Sequence, residues 1–315
     1  MLSGLFPMLL LLILFCGLVS IAVASPRNSG RIAFASNRDG NTEIYSMRSD
    51  GTNQIRLTNN TGVDYHPVWS PDGTSIAYLS QNGFGPFSIK VMNADGSNQT
   101  VVTSVFYGVC VWPWRDDWSM SWSPNGKKIA FQENGDIFTV DIDGTNRINL
   151  TNHFASDAEP TWSADGTRII FTSSRLFFST MYSMNANGTN VQALPSDGEF
   201  WDTAPMYSPT GDRIAFVVNS NVNGPILYTA NADGTNRLPF DGLGSVSQYR
   251  NNPRWSPNGT RIVFHLWEGF DDNAEIYVKN VSGGQMVQLT NSAGSNFHPS
   301  WQQVATKTIT VVSGD

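Results

Sequence analysis

The chain predicts an all-β fold, a six-bladed β-propeller of four-stranded blades, and three observations carry that prediction. One phrase recurs six times, its spacing is close to one blade, and one copy is split between the two ends of the chain. The fullest copy is HPVWSPDGTSIAY, from His66 to Tyr78. Related copies read SWSPNGKKIAF (Ser121 to Phe131), PTWSADGTRIIF (Pro160 to Phe171), PMYSPTGDRIAF (Pro205 to Phe216) and PRWSPNGTRIVF (Pro253 to Phe264). The anchor aromatics Trp69, Trp122, Trp162, Tyr207, Trp255 and Trp301 are separated by 53, 40, 45, 48 and 46 residues. A period of about 40–50 residues that holds several short strands is propeller spacing. In the sixth copy RIAF stands at Arg31 to Phe34, while its HPSW stands at His298 to Trp301. An open stack of blades would leave two raw sheet edges, which ring closure removes. The last innermost strand is therefore expected to complete the first blade and latch the ring.

Each unit then justifies four strands, A to D. The aromatic anchor ends strand A, and Ser-Pro-Asp-Gly or a variant makes a tight turn in which Pro presets φ and Gly accepts positive φ. A short β-rich run follows as strand B, such as Ile76-Ala77-Tyr78 or Ile214-Ala215-Phe216. After a variable loop comes strand C, at Ile44 to Met47, Ile89 to Met92, Ile137 to Val140, Met181 to Met184, Leu227 to Ala230 and Ile276 to Lys279. A second stereotyped turn, Asp50-Gly51-Thr52-Asn53 and its repeats, leads to strand D, which often ends in Leu-Thr. No long helical period interrupts this pattern. The repeat aromatics are expected to be core, and the Asp-Gly-Thr-Asn turns to be hairpin turns, because a calcium loop needs further oxygen ligands at fixed spacing.

Residues 1–24 contain no charged side chain, Met8 to Val19 is almost continuously apolar, and Ala22-Val23-Ala24 fits a small-residue cleavage site. This stretch reads as a signal peptide, with an uncleaved anchor as the alternative. The propeller is placed at 25–303 and a C-terminal tail at 304–315. Removing the leader leaves one cysteine, Cys110, so an intramolecular disulfide is excluded. The net charge of −7 argues against a nucleic-acid partner.

Strand alternation sorts the loops. The stereotyped A–B and C–D turns share one face, and the variable D–A and B–C loops share the other. Variable loops on a rigid scaffold are where binding concentrates. The largest is the loop before Trp122, which gathers Phe106, Tyr107, Trp112, Trp114 and Trp118 around Arg115, Asp116 and Asp117. Such aromatics beside charges suit a peptide side chain, a sugar or a partner surface, and equally a cap that buries its own aromatics. Trp201, Asp202 and Arg250 join them as candidate partner contacts, with Phe84, Phe87, Arg175 to Phe178, Tyr249 and Trp267 to Asp272 as secondary positions.

A second feature is the residue just before the strand A proline. Around the ring it is His298, His66, Ser119 (no proline follows), Glu159, Ala204 and Asn252. The latch makes His66 and His298 neighbours, with Asp64 and Asp157 in the same register and His153 and His265 outside it. Two imidazoles and carboxylates could hold a divalent metal at the channel mouth. The plainer reading is that His-Pro is repeat vocabulary.

The combination P-x-W-S-P-D-G, I-A-F, I-Y-x-M, D-G-T-N and L-T resembles the TolB-type propeller repeat, over residues 31–301. The resemblance implies a six-bladed ring and says little about function, because the same propeller serves unrelated roles. Full TolB proteins carry an additional N-terminal α/β domain. Only Ser25 to Gly30 stand between the leader and the first strand, so that domain is expected to be absent. Peptidase relatives add a hydrolase domain with G-x-S-x-G, which does not occur here.

The leading expectation is an exported, periplasmic or secreted, non-catalytic scaffold that binds a protein or peptide on its variable-loop face, with no cofactor. The alternatives are a metal-dependent lyase or lactonase acting through His66 and His298 at the channel mouth, and a carbohydrate-binding module using the aromatic loop.

Overall fold

The structure is a computed structural model that describes residues 20–22, 30–83, 85–106, 119–176, 178–196, 198, 201–220, 224–240, 248–268, 273–303 and 308–310, the side chains of 20–22, 220, 248–250, 268 and 308–310 apart. Six antiparallel four-stranded sheets make up the unit spanning 28–305. Blade 1 pairs Asn296–Trp301, Arg31–Ser36, Glu43–Arg48 and Ile55–Arg56, in the order A to D. Blade 2 runs Val63–Trp69, Ser75–Gln81, Phe87–Asn93 and Thr100–Val105. Blade 3 has Met120–Trp122, Lys128–Glu133, Asp136–Asp141 and Ile148–Asn149. Blade 4 has Asp157–Trp162, Arg168–Ser173, Thr180–Asn185 and Gln192–Ala193. Blade 5 has Trp201–Tyr207, Arg213–Ser220, Gly224–Asn231 and Leu238–Pro239. Blade 6 has Gln248–Trp255, Arg261–Glu268, Ala274–Asn280 and Val287–Gln288.

The innermost strands pack against one another in sequence, and Asn296–Trp301 touches both Gln248–Trp255 and Val63–Trp69, which closes the ring. The latch has the expected register, with Ile32 opposite Trp301 and Ser36 opposite Asn296. Separately, Ser20–Ala22 pairs antiparallel with Thr308–Thr310 in a unit of its own. Among the described residues no helix is long and apolar enough to cross a membrane.

The repeat vocabulary now has physical reasons. All six anchor aromatics are buried, and the indole N–H groups of Trp122 and Trp255 donate to the carbonyls of Val68 and Met206 in the preceding blade. The serine after each anchor closes the A–B hairpin, as where Ser70 Oγ accepts from the Ser75 N–H at 3.0 Å and Ser256 Oγ from Arg261 at 2.9 Å. In blade 1 the hairpin is cut between the chain's two ends, and Gln302 takes the serine's part. Its Oε1 accepts from the Arg31 N–H at 2.9 Å, its own N–H donates to the Arg31 carbonyl at 2.8 Å, and its Nε2 reaches the Gly73 carbonyl of blade 2 at 2.7 Å.

The Asp-Gly-Thr-Asn segments are hairpin turns: Asp143 Oδ1 accepts from both the N–H and the hydroxyl of Thr145. The turn glycine is required twice over at Gly51, where φ is +85° and a Cβ would stand 2.5 Å from the Leu289 carbonyl of the neighbouring blade. The Leu-Thr ending is a clasp on strand C. Thr58 Oγ1 accepts from the Ile44 N–H and donates to Glu43, and Thr290 does the same with Ile276 and Glu275.

Candidate functional site

Strand A carries an irregularity at the channel mouth. In five of six blades the residue before the proline lies in the left-handed region: His298, His66, Glu159, Ala204 and Asn252 all have φ between +51° and +55°. A register shift in the A–B ladder accompanies each one. Residues with a Cβ avoid this conformation at a cost of roughly 1–3 kcal/mol, so five copies mark a built feature. Blade 3 departs, because Ser119 precedes a three-residue strand and no proline follows it.

His66 and His298 meet there as expected. Their rings stack with centroids 3.5 Å apart and planes 23° from parallel. Both are buried, and Tyr65 and Phe297 pack edge-on against them. The structure adds a third histidine that the register count leaves out. His265, on strand B of blade 6 and fully buried, stands edge-on to His298 at 5.6 Å. Lone pairs of stacked imidazoles lie in nearly parallel planes, whereas a metal must lie close to the plane of each ligating ring at about 2.0–2.1 Å. One ring would have to turn before His66 and His298 could share an ion. Among the described residues, no three His, Cys, Asp or Glu side chains are grouped to hold a metal.

The carboxylates in this register turn into the blades. Asp157 is ion-paired with Arg175 at 2.6 Å, and Arg175 lies over Phe171 and Tyr182. Asp202 takes a bidentate pair from Arg237, at 2.9 and 2.6 Å, with the guanidinium over Phe216. Asp202, expected as a partner contact, is thus a fully buried structural anion. Asp64 is also buried, takes a 2.7 Å bond from Asn60, and desolvation holds its carboxyl above the ordinary range. Glu159 accepts from the Ala204 N–H of blade 5 and from the Thr172 hydroxyl, both at 2.7 Å.

The two faces differ in what they expose. Ten large hydrophobic side chains are exposed among the described residues. Five of them, Ile55, Val101, Ile148, Leu238 and Val287, lie on outer D strands. The other five, Phe106, Phe154, Leu176, Phe178 and Trp201, all lie on variable-loop positions between the end of blade 2 and the start of blade 5. Bonds from backbone N–H groups, one to the Glu133 carboxylate and three to carbonyls, tie these loops edge to edge. The Phe106 N–H donates to Glu133, Asp157 to the Gly135 carbonyl, Ser174 to Ser156, and Asp202 to Ser179. Beneath them the charges are already matched, in Glu133 with Arg147 and Asp157 with Arg175. The result is an apolar crescent on a rim whose floor is electrically satisfied.

Of the expected contacts, Trp201 stands on this crescent, 44% exposed. Tyr107, Trp112, Trp114, Arg115, Asp116 and Trp118 lie outside the described residues, as do Cys110, Phe84 and the Arg250 side chain. Phe154, which is 96% exposed beside His153, was not singled out from the sequence; its only signal is a lone aromatic in a polar D–A loop. Arg254 was missed too, although it is the only charged residue between a strand A proline and its aromatic.

Comparison with known proteins agrees with this architecture. Residues 15–108 and 116–238 match the family described as the TolB beta propeller domain. A protein TolB homolog of Chlorobium luteolum is 32% identical over 275 residues, covering 86% of this chain and 59% of that protein. The chain therefore spans somewhat more than half the length of that relative. Among solved structures, TolB from Acinetobacter baumannii aligns with a TM-score of 0.72 at 21% identity, over 87% of this chain and 67% of the other. A putative TolB from Agrobacterium tumefaciens aligns with a TM-score of 0.63 at 19% identity, over 84% of this chain and 91% of the other. At these identities the structural likeness speaks for the fold.

Proposed function

The chain belongs to the TolB β-propeller family, and from that premise we propose that it is an exported, non-catalytic scaffold that binds a protein or peptide partner on its variable-loop face. The observation that carries this reading is the partition of exposed apolar side chains. Among the described residues, every one that is not on an outer strand belongs to the crescent of Phe106, Phe154, Leu176, Phe178 and Trp201. Exposed aromatics gathered on neighbouring loops of a rigid scaffold are costly to leave in water and mark interaction surfaces. The paired charges beneath them favour a partner that presents apolar side chains over a sugar acid. Export follows from the uncharged apolar stretch at residues 1–24.

The test is selection of a displayed peptide library on the immobilised full chain. Peptides that bind the parent and lose affinity at least about tenfold in a Phe154→Ser/Trp201→Ser variant of unchanged melting temperature support the reading. Peptides that bind both proteins equally would refute it.

A further inference from the structure

We propose that the central channel contains a carboxylate-binding site built on Arg254 and Asn252 of blade 6. Arg254 occupies the position between proline and aromatic on the innermost strand Gln248–Trp255. In other blades the side chain at this position spans to the next inner strand around the channel. Ser300 accepts from the Trp69 N–H, Ser121 accepts from the Trp162 N–H, and Thr161 donates to the Pro205 carbonyl. Arg254 stands among these short polar residues as a buried cation.

Its guanidinium makes few bonds to protein. Among the described residues its guanidinium donates only to the carbonyl of the adjacent Pro253, at 3.1 Å, although a guanidinium carries five donors. The carboxylate of Glu159, two blades round the ring, acts on it electrostatically at a distance beyond an ion pair. Burial holds the Arg254 pKa down to about 10, against the pull of Glu159. Two residues before Arg254, Asn252 is 2% exposed, and its side-chain Nδ2 has no hydrogen-bond partner among the described residues. A buried amide donor and a buried planar fork on one strand match the two oxygens of a carboxylate. Leaving the buried Asn252 donor unmet is costly.

Glu159 sets the charge of the ligand. Its carboxylate takes bonds from Ala204 and Thr172 and acts electrostatically on Arg254. A monocarboxylate balances Arg254, whereas a dianion such as sulfate meets repulsion from Glu159. The carboxylate belongs either to a small free acid or to an acidic side chain of a bound peptide. This site stands on observations separate from the crescent, and either can fail without the other.

Thermal unfolding of the full chain tests it, at constant ionic strength, with sodium acetate, with a capped peptide whose only charge is one glutamate, and with sodium chloride or sulfate as comparison. The expected result is a concentration-dependent rise in melting temperature with acetate, the peptide or both that Arg254→Met loses, whereas the general stabilisation by sulfate is the same in both proteins. A rise with acetate assigns the site to free acids, and a rise with the peptide alone assigns it to an acidic side chain. Arg254→Met should weaken the apparent affinity at least about tenfold while its ligand-free melting temperature equals or exceeds the parent's, because a buried cation has been removed. Arg254→Lys should keep a reduced response. The proposal is overturned if no carboxylate shifts the parent, if Arg254→Met removes the responses to chloride or sulfate as it does that to acetate, or if Arg254→Met retains the full carboxylate response. It is equally overturned if Arg254→Met melts well below a parent that shows no carboxylate response, since Arg254 would then serve only to balance Glu159.

Discussion

His66 and His298 lie face to face with ring centroids 3.5 Å apart, although 232 residues separate them in the chain. The contact joins the innermost strands of blades 1 and 2 beside the latch, and His265 of blade 6 closes on it edge-on. Three of the four histidines therefore gather beside the blade in which the first and last strands of the propeller pair. Stacked imidazoles pack a seam well and chelate poorly. Treatment with a chelator is expected to leave the melting temperature unchanged. Near-stoichiometric metal in the purified protein, lost in a folded His66→Ala/His298→Ala variant, would contradict this.

The latch should be the most sensitive interface in the ring. Trp301 and Trp255 are equally buried, so removal of either costs the usual about 3–5 kcal/mol for a large core side chain. Trp301→Ala should cost more than Trp255→Ala, because only Trp301 sits on the strand that joins the ends. Gln302→Ala should also destabilise, by about 1–3 kcal/mol, because it removes the bonds to Arg31 and Gly73 together. Denaturant unfolding of the three variants decides, and equal costs for the two tryptophans would count against the latch.

The ring was legible in the sequence because each motif reports a local necessity repeated six times. The split copy gave away closure, and closure gave away the meeting of His66 with His298. Contacts that depend on a partner outside the motif were not legible. Asp202 looks like an exposed loop acid until Arg237, 35 residues later, is seen to clamp it. His265 escaped because counting from the strand A proline ignores strand B, where it pairs with Asn251 beside the left-handed Asn252. Phe154 carries no motif at all, and only its exposure on the structure reveals it.

The C–D turn glycine Gly96 should be less tolerant of substitution than the B–C loop glycine Gly83, although both have positive φ. Gly96 and Gly83 have φ of +88° and +61°, but a Cβ on Gly96 would stand 2.5 Å from the Leu57 carbonyl, whereas nothing lies within 4 Å of one on Gly83. Gly83→Ala should cost only the conformational strain, roughly 1–2 kcal/mol. Gly96→Ala should cost clearly more, since blade 1 must shift. Urea unfolding of both separates strain from contact, and equal costs would remove the contact from the explanation.

Alkaline pH should weaken the fold through its tyrosines. Burial and the bond to Asp39 push the Tyr45 hydroxyl up to about 12, and burial raises Tyr65 and Tyr78 as well. A raised folded pKa means stability that is complete below the ordinary tyrosine value of about 10 and is lost as pH rises toward the folded value. Arg254 has the opposite sign. Its folded pKa is lowered by burial to about 10, below its unfolded value, so its contribution to stability grows across the same window. Tyr45→Phe should flatten the decline between about pH 10 and 12, and Arg254→Met should steepen it. Unfolding free energies measured across that window check both signs, and a steeper decline in Tyr45→Phe would contradict the assignment.

The most direct measurement of the proposed function is site-specific photo-crosslinking in the cell envelope fraction, with the photoreactive residue at position 154, 201 or 260. Positions 154 and 201 lie on the crescent, and Thr260 is exposed on an A–B turn of the opposite face. The predicted result is one discrete protein adduct shared by 154 and 201, absent at 260, and competed away by the free partner once identified. Adducts of equal pattern at all three positions, or a discrete adduct at 260 alone, would show that the variable-loop face is not the binding surface.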